Sequence, residues 1–187
     1  MVAHEKYTNK ANPHAWMQVA ENLHEQAEIL YKTKNEMIVY VEHTTGNREE
    51  RYTANRAIYL LGAFALENAL KSFLVYENPS WISNGRMSKK LKSHSLKSLK
   101  KKCVNVPYKR QYQWVLSSFE ESIESWARYP CALNENETYD EGILSERLWT
   151  GYNKLINAYL KRLRELISKK WKGPHGYECS FLFIKYT

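Results

Sequence analysis

The chain has 187 residues, 43% of them hydrophobic and 13% aromatic, which supports one domain with a sizeable core and excludes disorder throughout. The formal net charge of +8 favours an anionic partner, nucleic acid first, although a solvated basic surface gives the same charge. Three widely spaced cysteines exclude a disulfide framework and suit a reducing cytoplasm. Because the first ten residues lack an apolar segment and no later run reaches the length of a bilayer span, we expect a cytoplasmic protein without membrane contact.

The hydrophobic periodicity predicts a first long helix at 13–34 and a second at about 51–76. Asn12 is placed to cap the first helix, and a polar turn at 43–50 separates the two. Pro79 follows the second helix and ends it, because the residue before a proline is pushed out of the helical conformation.

The second half of the chain follows the same pattern. A short helix at 95–103 precedes a third long helix at 108–129, which Pro130 terminates. A fourth long helix covers about 145–171, and the tail at 172–187 alternates enough to form a strand or an extended arm.

Together these elements predict an all-α bundle of four to five helices with a short strand-like C-terminal tail. The whole chain, 1–187, is predicted to form one domain, with its core at about 13–171 and its tail at 172–187. No repeat of 20–50 residues and no low-complexity segment points to another architecture.

Three polar residues interrupt the apolar second helix. Glu67 and Lys71 are four residues apart, so they can pair on one helical face. Asn68 lies about 100° round from Glu67, nearer the apolar stripe, where its amide needs a hydrogen-bond partner. The residues either form a routine surface pair with a satisfied amide or line a functional cleft.

A basic segment occupies residues 86–102. Cations at this density along one loop and one helix face can neutralise phosphates without reading sequence, and the alternative is a solvated helix face. His94 lies among them, either as a functional group or as a residue that holds the loop in place. The predicted RNA-binding residues are Arg86, Lys89, Lys90, Lys92, Lys97, Lys100, Lys101 and Lys102.

Arg128 lies between Trp126 and Tyr129 at the predicted end of the third helix. An arginine stacked between aromatic rings at a helix end suits phosphate recognition, whereas the simpler role is to neutralise the helix dipole. No standard catalytic motif is present, and the six histidines form no i,i+4 pair, so we expect no metal site and no cofactor.

The stretches "GAFALENALKSFLVYENP", "HSLKSL" and "SIESWARYP" resemble bacterial proteins of the HEPN superfamily (higher eukaryotes and prokaryotes nucleotide-binding). The resemblance covers roughly residues 51–165. It implies a bundle of four or five helices and a two-fold dimer. Many members are metal-independent endoribonucleases of toxin–antitoxin and phage-defence systems, and others only bind RNA or nucleotides.

The catalytic motif of that family is an Arg followed by a His five to seven positions later. The resemblance places Arg128 in the Arg slot, next to Tyr129, but Asn134 stands six positions on where the family has His. Asparagine cannot exchange a proton near neutral pH, so the motif is incomplete. The resemblance further implies that Glu67, Asn68 and Lys71 line a cleft beside Arg128.

The main hypothesis is a dimeric HEPN-like protein of a bacterial stress, phage-defence or toxin–antitoxin system that binds RNA or nucleotides, with nuclease activity left open. One alternative is an active metal-independent endoribonuclease that recruits His94 to partner Arg128. The other is a non-enzymatic accessory subunit that only contacts a partner protein.

Overall fold

The computed structural model describes residues 3–107, 110–129, 135–137 and 141–184. The fold is mostly helical, as predicted, and it also contains two small two-stranded sheets. The α-helices and β-strands are α1 (Ala3–Ala11), α2 (Pro13–Thr33), β1 (Met37–Val41), β2 (Arg48–Tyr52), α3 (Asn55–Glu77), α4 (Leu96–Lys102), α5 (Gln113–Glu124), α6 (Glu146–Ile167), β3 (Trp171–Lys172) and β4 (Glu178–Cys179). Single 3₁₀ turns lie at Pro79–Ile82, Lys89–Leu91, Arg110–Tyr112, Glu135–Glu137 and Pro174–Gly176.

Helix α3 is the centre of the bundle, because α2, α4, α5 and α6 all pack against it. It is long and apolar enough to cross a membrane, contrary to the expectation from sequence, with a mean hydropathy of 1.4 over its best window. That window is 78% buried inside the bundle, as in the core helix of a soluble protein. Polar side chains on α3 are therefore held in a packed environment.

The predicted helix starts depend on caps that the structure contains. The Asn12 side chain accepts a hydrogen bond from the Ala15 N–H at 2.9 Å, so α2 begins where predicted. Ser145 caps α6 in the same way, at the start predicted for the fourth helix. Helix α1 was not predicted and precedes α2 directly.

Three long helices are shorter than predicted, and one of them, α6, ends at Ile167 instead of Trp171. Helix α3 begins at Asn55 instead of Arg51, because residues 48–52 form strand β2. Helix α5 ends at Glu124 instead of Tyr129, since Ser125 leaves the helical conformation at φ −130° and ψ −106°. The segment that carries Arg128 is consequently a turn.

Two small antiparallel hairpins account for the strands. β1 pairs with β2 in the register Met37↔Tyr52 to Val41↔Arg48, around a turn that contains Gly46 with φ +76°. β3 pairs with β4, so the start of the predicted strand-like tail forms a hairpin of two-residue strands.

The core between α3, α5 and α6 is aromatic. Phe119 of α5 stacks on Tyr152 of α6 with ring centroids 4.9 Å apart, and Tyr59 of α3 contacts the Phe119 ring at 5.2 Å. A Cβ atom at Gly62 would lie 2.6 Å from the Phe119 ring, so this glycine is what lets α5 approach α3 so closely.

Candidate functional site

The polar residues of α3 form a buried ion pair. Lys71 Nζ lies 2.6 Å from Glu67 Oε1, and each side chain is only 6% exposed. The surface-pair interpretation is therefore wrong, because α3 is enclosed by its neighbours and offers this pair almost no water. Trp16 of α2 adds to the enclosure, with its ring centroid 5.6 Å from the Lys71 ammonium.

His94 completes this cluster from the loop before α4. Its Nδ1 lies 3.1 Å and 3.2 Å from the two oxygens of Glu67. Since a carboxylate only accepts hydrogen bonds, Nδ1 is the nitrogen that donates to Glu67, and Nε2 is the ring nitrogen that can act as a base. The His94 side chain is 58% exposed, and Nε2 bonds to no described residue. A buried carboxylate thus orients an accessible imidazole.

Asn68 turns away from this cluster. Its amide N–H donates to the Phe64 carbonyl at 2.7 Å, one turn back along α3. The amide has the partner that the sequence required, but the bond is internal to the helix.

Arg128 lies on the same face of α3, one turn closer to its N-terminus. Its guanidinium carbon is 5.8 Å from the centroid of the Phe64 ring. Phe64 precedes Glu67 by three residues, so both side chains share one helical face and are separated by about 4.5 Å of helix rise. The structure therefore brings Arg128 and the Glu67–His94 pair to the same side of α3.

The aromatic neighbours of Arg128 differ from the prediction. Trp126 is buried and packs edge-on against Tyr59 at 4.7 Å, while Tyr129 is 60% exposed. Arg128 stacks on Phe64 instead of between its chain neighbours, because the turn after Glu124 sends Trp126 into the core. The guanidinium is exposed and makes no ion pair with a described residue.

Glu120 of α5 controls the start of the basic helix α4. Its carboxylate accepts hydrogen bonds from the Lys97 N–H at 2.7 Å and from the Ser95 hydroxyl at 3.1 Å. It also pairs with Lys97 Nζ at 3.2 Å. Lys97 is therefore partly neutralised and holds α4 against α5, a role that the sequence analysis did not predict.

A basic groove of about 470 Å³ lies between α4 and the start of α5. Four cations line it and no carboxylate does: Lys97, Lys100, Lys101 and Arg110, with Gln113, Leu116 and Cys103 as the other lining residues. Burial and the nearby Glu77 carboxylate raise the pKa of the Cys103 thiol, so this cysteine is not a thiolate nucleophile. The groove offers positive charge without a reactive group.

The other predicted RNA-binding residues are exposed and do not line the groove. Lys90 lies over the Trp81 ring at 4.9 Å, and Arg86 lines a second, shallower pocket of about 420 Å³. Lys89, Lys92 and Lys102 are exposed. The cations of the basic segment thus have different neighbours, and three of them, Lys97, Lys100 and Lys101, line the groove.

Two site residues escaped prediction, and one predicted residue cannot be placed. Arg110 lies near the predicted start of the third long helix. Its position beside the lysines of α4 depends on how the helices pack, which the sequence does not show. Glu120 carries no sequence signal, since its partners lie 23 and 25 residues away. Asn134 lies outside the described residues, so its position relative to Arg128 stays a prediction.

Comparison with family models, curated proteins and solved structures found no match for this chain. Within the described ranges, no group of three or more His, Cys, Asp or Glu side chains is arranged to hold a metal ion. The functional argument consequently rests on the geometry of the chain itself.

Proposed function

We propose that the protein binds RNA through the basic groove between α4 and α5. The observation that carries this proposal is a groove lined by four cations and no carboxylate. The HEPN resemblance supports RNA as the anion, and it suggests a bacterial stress, phage-defence or toxin–antitoxin setting. Homodimerisation belongs to the same proposal.

Lysine side chains suit phosphate contacts that do not depend on base sequence. Each lysine in contact with a phosphate releases condensed counterions, so affinity falls steeply with salt. Arg110 adds a planar fork that can hold one phosphate by two hydrogen bonds. We therefore expect the groove to track a single-stranded backbone, with specificity supplied elsewhere.

Replacing Lys100, Lys101 and Arg110 together by Gln is expected to weaken RNA binding at least tenfold, or about 1.4 kcal/mol. The slope of log affinity against log salt should fall by about 2, since three phosphate contacts are lost on a single strand. Lys97 is kept, because its bond to Glu120 holds α4 in place. The measurement is fluorescence anisotropy with a labelled single-stranded RNA of mixed sequence.

The control triple variant is Lys6→Gln, Lys10→Gln and Lys161→Gln, which removes the same charge from exposed positions outside the groove. Equal losses of affinity in the two triple variants would mean that RNA affinity depends only on the net charge of the protein and not on the groove. Circular dichroism should show the same helix content in both.

A second function, metal-independent RNA cleavage, is favoured by the Glu67–His94 pair. A buried carboxylate that fixes an accessible imidazole is the arrangement that a general base requires. Arg128 lies one turn away on the same face and can stabilise the charge that develops on a phosphate. Here His94 supplies the proton-transfer group that Asn134 cannot.

In this second function, His94 Nε2 takes the proton of a ribose 2′-hydroxyl, and the 2′-oxygen attacks the adjacent phosphorus. The bond from phosphorus to the 5′-oxygen breaks, and that oxygen takes a proton from solvent. The products are a 2′,3′-cyclic phosphate and a 5′-hydroxyl. Cleavage in the presence of EDTA is the assay, and an RNA with a 2′-deoxy substitution at the cut site should resist it.

Arg128 is expected to bind phosphate through its guanidinium plane as well as its charge. Arg128→Lys should therefore weaken RNA binding about tenfold, because Lys keeps the charge but lacks the bidentate fork. Arg128→Ala should lose no more than a few-fold beyond that. Both variants should keep the wild-type melting temperature, since the side chain is exposed. Full RNA affinity in Arg128→Lys would assign Arg128 to simple charge balance.

A further inference from the structure

The hairpin of β1 and β2 exposes an uncharged, apolar strand. All five β1 side chains are between 43% and 59% exposed: Met37, Ile38, Val39, Tyr40 and Val41. β2 instead carries charge at four of its five positions. An exposed apolar edge strand without a charge or a proline is a template for pairing with a strand of another chain.

The free edge of β1 can be located from the hydrogen-bond ladder. Thr53 N–H donates to the Glu36 carbonyl, and Glu42 N–H donates to the Asn47 carbonyl. Bonding to β2 alternates along an antiparallel strand, so residues 38 and 40 also face β2. The N–H and C=O groups of Met37, Val39 and Val41 therefore point to the open edge.

The hairpin is held firmly enough to act as a platform. Arg51 of β2 donates to Glu141 at 3.0 Å, and Arg56 and Asn55 at the start of α3 donate to the same buried carboxylate at 2.7 Å and 2.8 Å. This network ties the inner face of the hairpin to the bundle and leaves the β1 edge outward.

We propose that the β1 edge pairs with β1 of a second copy of this chain, antiparallel and two-fold symmetric about Val39. This register places Val39 opposite Val39 of the second copy and Met37 opposite Val41. It joins outward-facing groups only, with three N–H donors from each copy and six hydrogen bonds in all. A charged residue in a partner strand would lie against the apolar side chains of β1. A second copy of β1 places only uncharged side chains there.

The size of this contact sets its strength. Two five-residue strands bury less than the roughly 1,200 Å² of a standard stable interface. We therefore expect a weak dimer, with a dissociation constant on the order of micromolar. The register also places Glu36 opposite Glu42 of the second copy at both ends, which weakens it further. The pairing specifies the surface through which the proposed homodimer forms, and it uses none of the residues of the basic groove.

Val39→Pro is the decisive variant. Its N–H points to the open edge and is not used within the hairpin, so proline removes an intermolecular bond while the β1–β2 ladder stays intact. Sedimentation velocity across the micromolar range should show a dimer for wild type and for the isosteric control Val39→Thr. The dissociation constant should rise at least tenfold for Val39→Pro.

Two further variants test the register itself. Glu36→Lys should tighten the dimer several-fold, because it replaces two like-charge pairs by two opposite-charge pairs. Val39→Cys should form a disulfide-linked dimer under mild oxidation, whereas Met37→Cys should not, since only residue 39 meets its own copy. The wild-type chain, with three cysteines of its own, measures the background.

A monomeric wild type across this range would overturn the proposal. A dimer that Val39→Pro leaves unchanged would also overturn it, because association would then use another face of the molecule.

Discussion

Replacing Lys71 by methionine is expected to lower the free energy of unfolding by about 3 kcal/mol. The methionine fills most of the lysine volume, so packing changes little, but Glu67 loses the cation 2.6 Å away. Removing one partner of a buried ion pair leaves an uncompensated buried charge, and that charge is the main cost. His94 remains as a hydrogen-bond donor to Glu67, which places the effect at the low end for such pairs.

The double variant Glu67→Leu with Lys71→Met should recover most of this loss. Well-packed apolar residues in place of a buried ion pair are often neutral or stabilising, so we expect a stability within about 1 kcal/mol of wild type. Urea denaturation followed by circular dichroism gives the free energy of unfolding of both variants, provided that its dependence on urea concentration has the same slope in each. A Lys71→Met protein as stable as wild type would show that Glu67 does not depend on Lys71.

This comparison separates stability from function. If the pair can be replaced without loss of stability, then its presence in an apolar helix calls for another explanation. The contact of Glu67 with a half-exposed His94 is the explanation that the structure offers. The buried carboxylate of Glu67 then positions the imidazole of His94, and the ammonium group of Lys71 compensates the buried negative charge.

Local signals predicted the helices well. Asn12 caps α2 as predicted and Ser145 caps α6 at its predicted start, because a capping side chain acts on an N–H only three residues away. The end of α5 was missed for the opposite reason. Ser125 leaves the helix without a glycine or proline beside it, and only the packing of Trp126 against Tyr59 accounts for the turn.

The β1–β2 hairpin could have been found from the sequence. "MIVYV" is a run of strand-forming residues, and Gly46 follows in a polar turn. The strand lies between two segments with a helical hydrophobic pattern, and the sequence analysis therefore assigned no strand between them. The charged strand "REERY" carries no such signal, since its position depends on pairing with β1.

The candidate site was partly predictable. The i,i+4 spacing of Glu67 and Lys71 gave their contact directly. Their burial and the approach of His94, 27 residues along the chain, depend on how the loop before α4 crosses α3. A single sequence contains the residues of such a cluster but not the path of the loop that assembles it.

His94 is expected to provide the largest functional effect in this chain. In the presence of EDTA, wild type should cleave single-stranded RNA, and His94→Ala should slow cleavage at least about 100-fold, the usual contribution of a general base. RNA affinity should change little, because the four cations of the basic groove are untouched. The measurement is the single-turnover rate on a labelled RNA, with affinity recorded alongside.

His94→Asn distinguishes catalysis from loop anchoring. The asparagine amide N–H occupies the place of Nδ1 and can still donate to Glu67, so the loop before α4 should stay attached and the melting temperature should hold. Asparagine has no basic nitrogen in place of Nε2, so cleavage should fall as far as in His94→Ala. Wild-type cleavage in His94→Asn would reduce His94 to an anchor. Tight RNA binding by a wild-type chain that never cuts would leave RNA binding as the function of the basic groove alone.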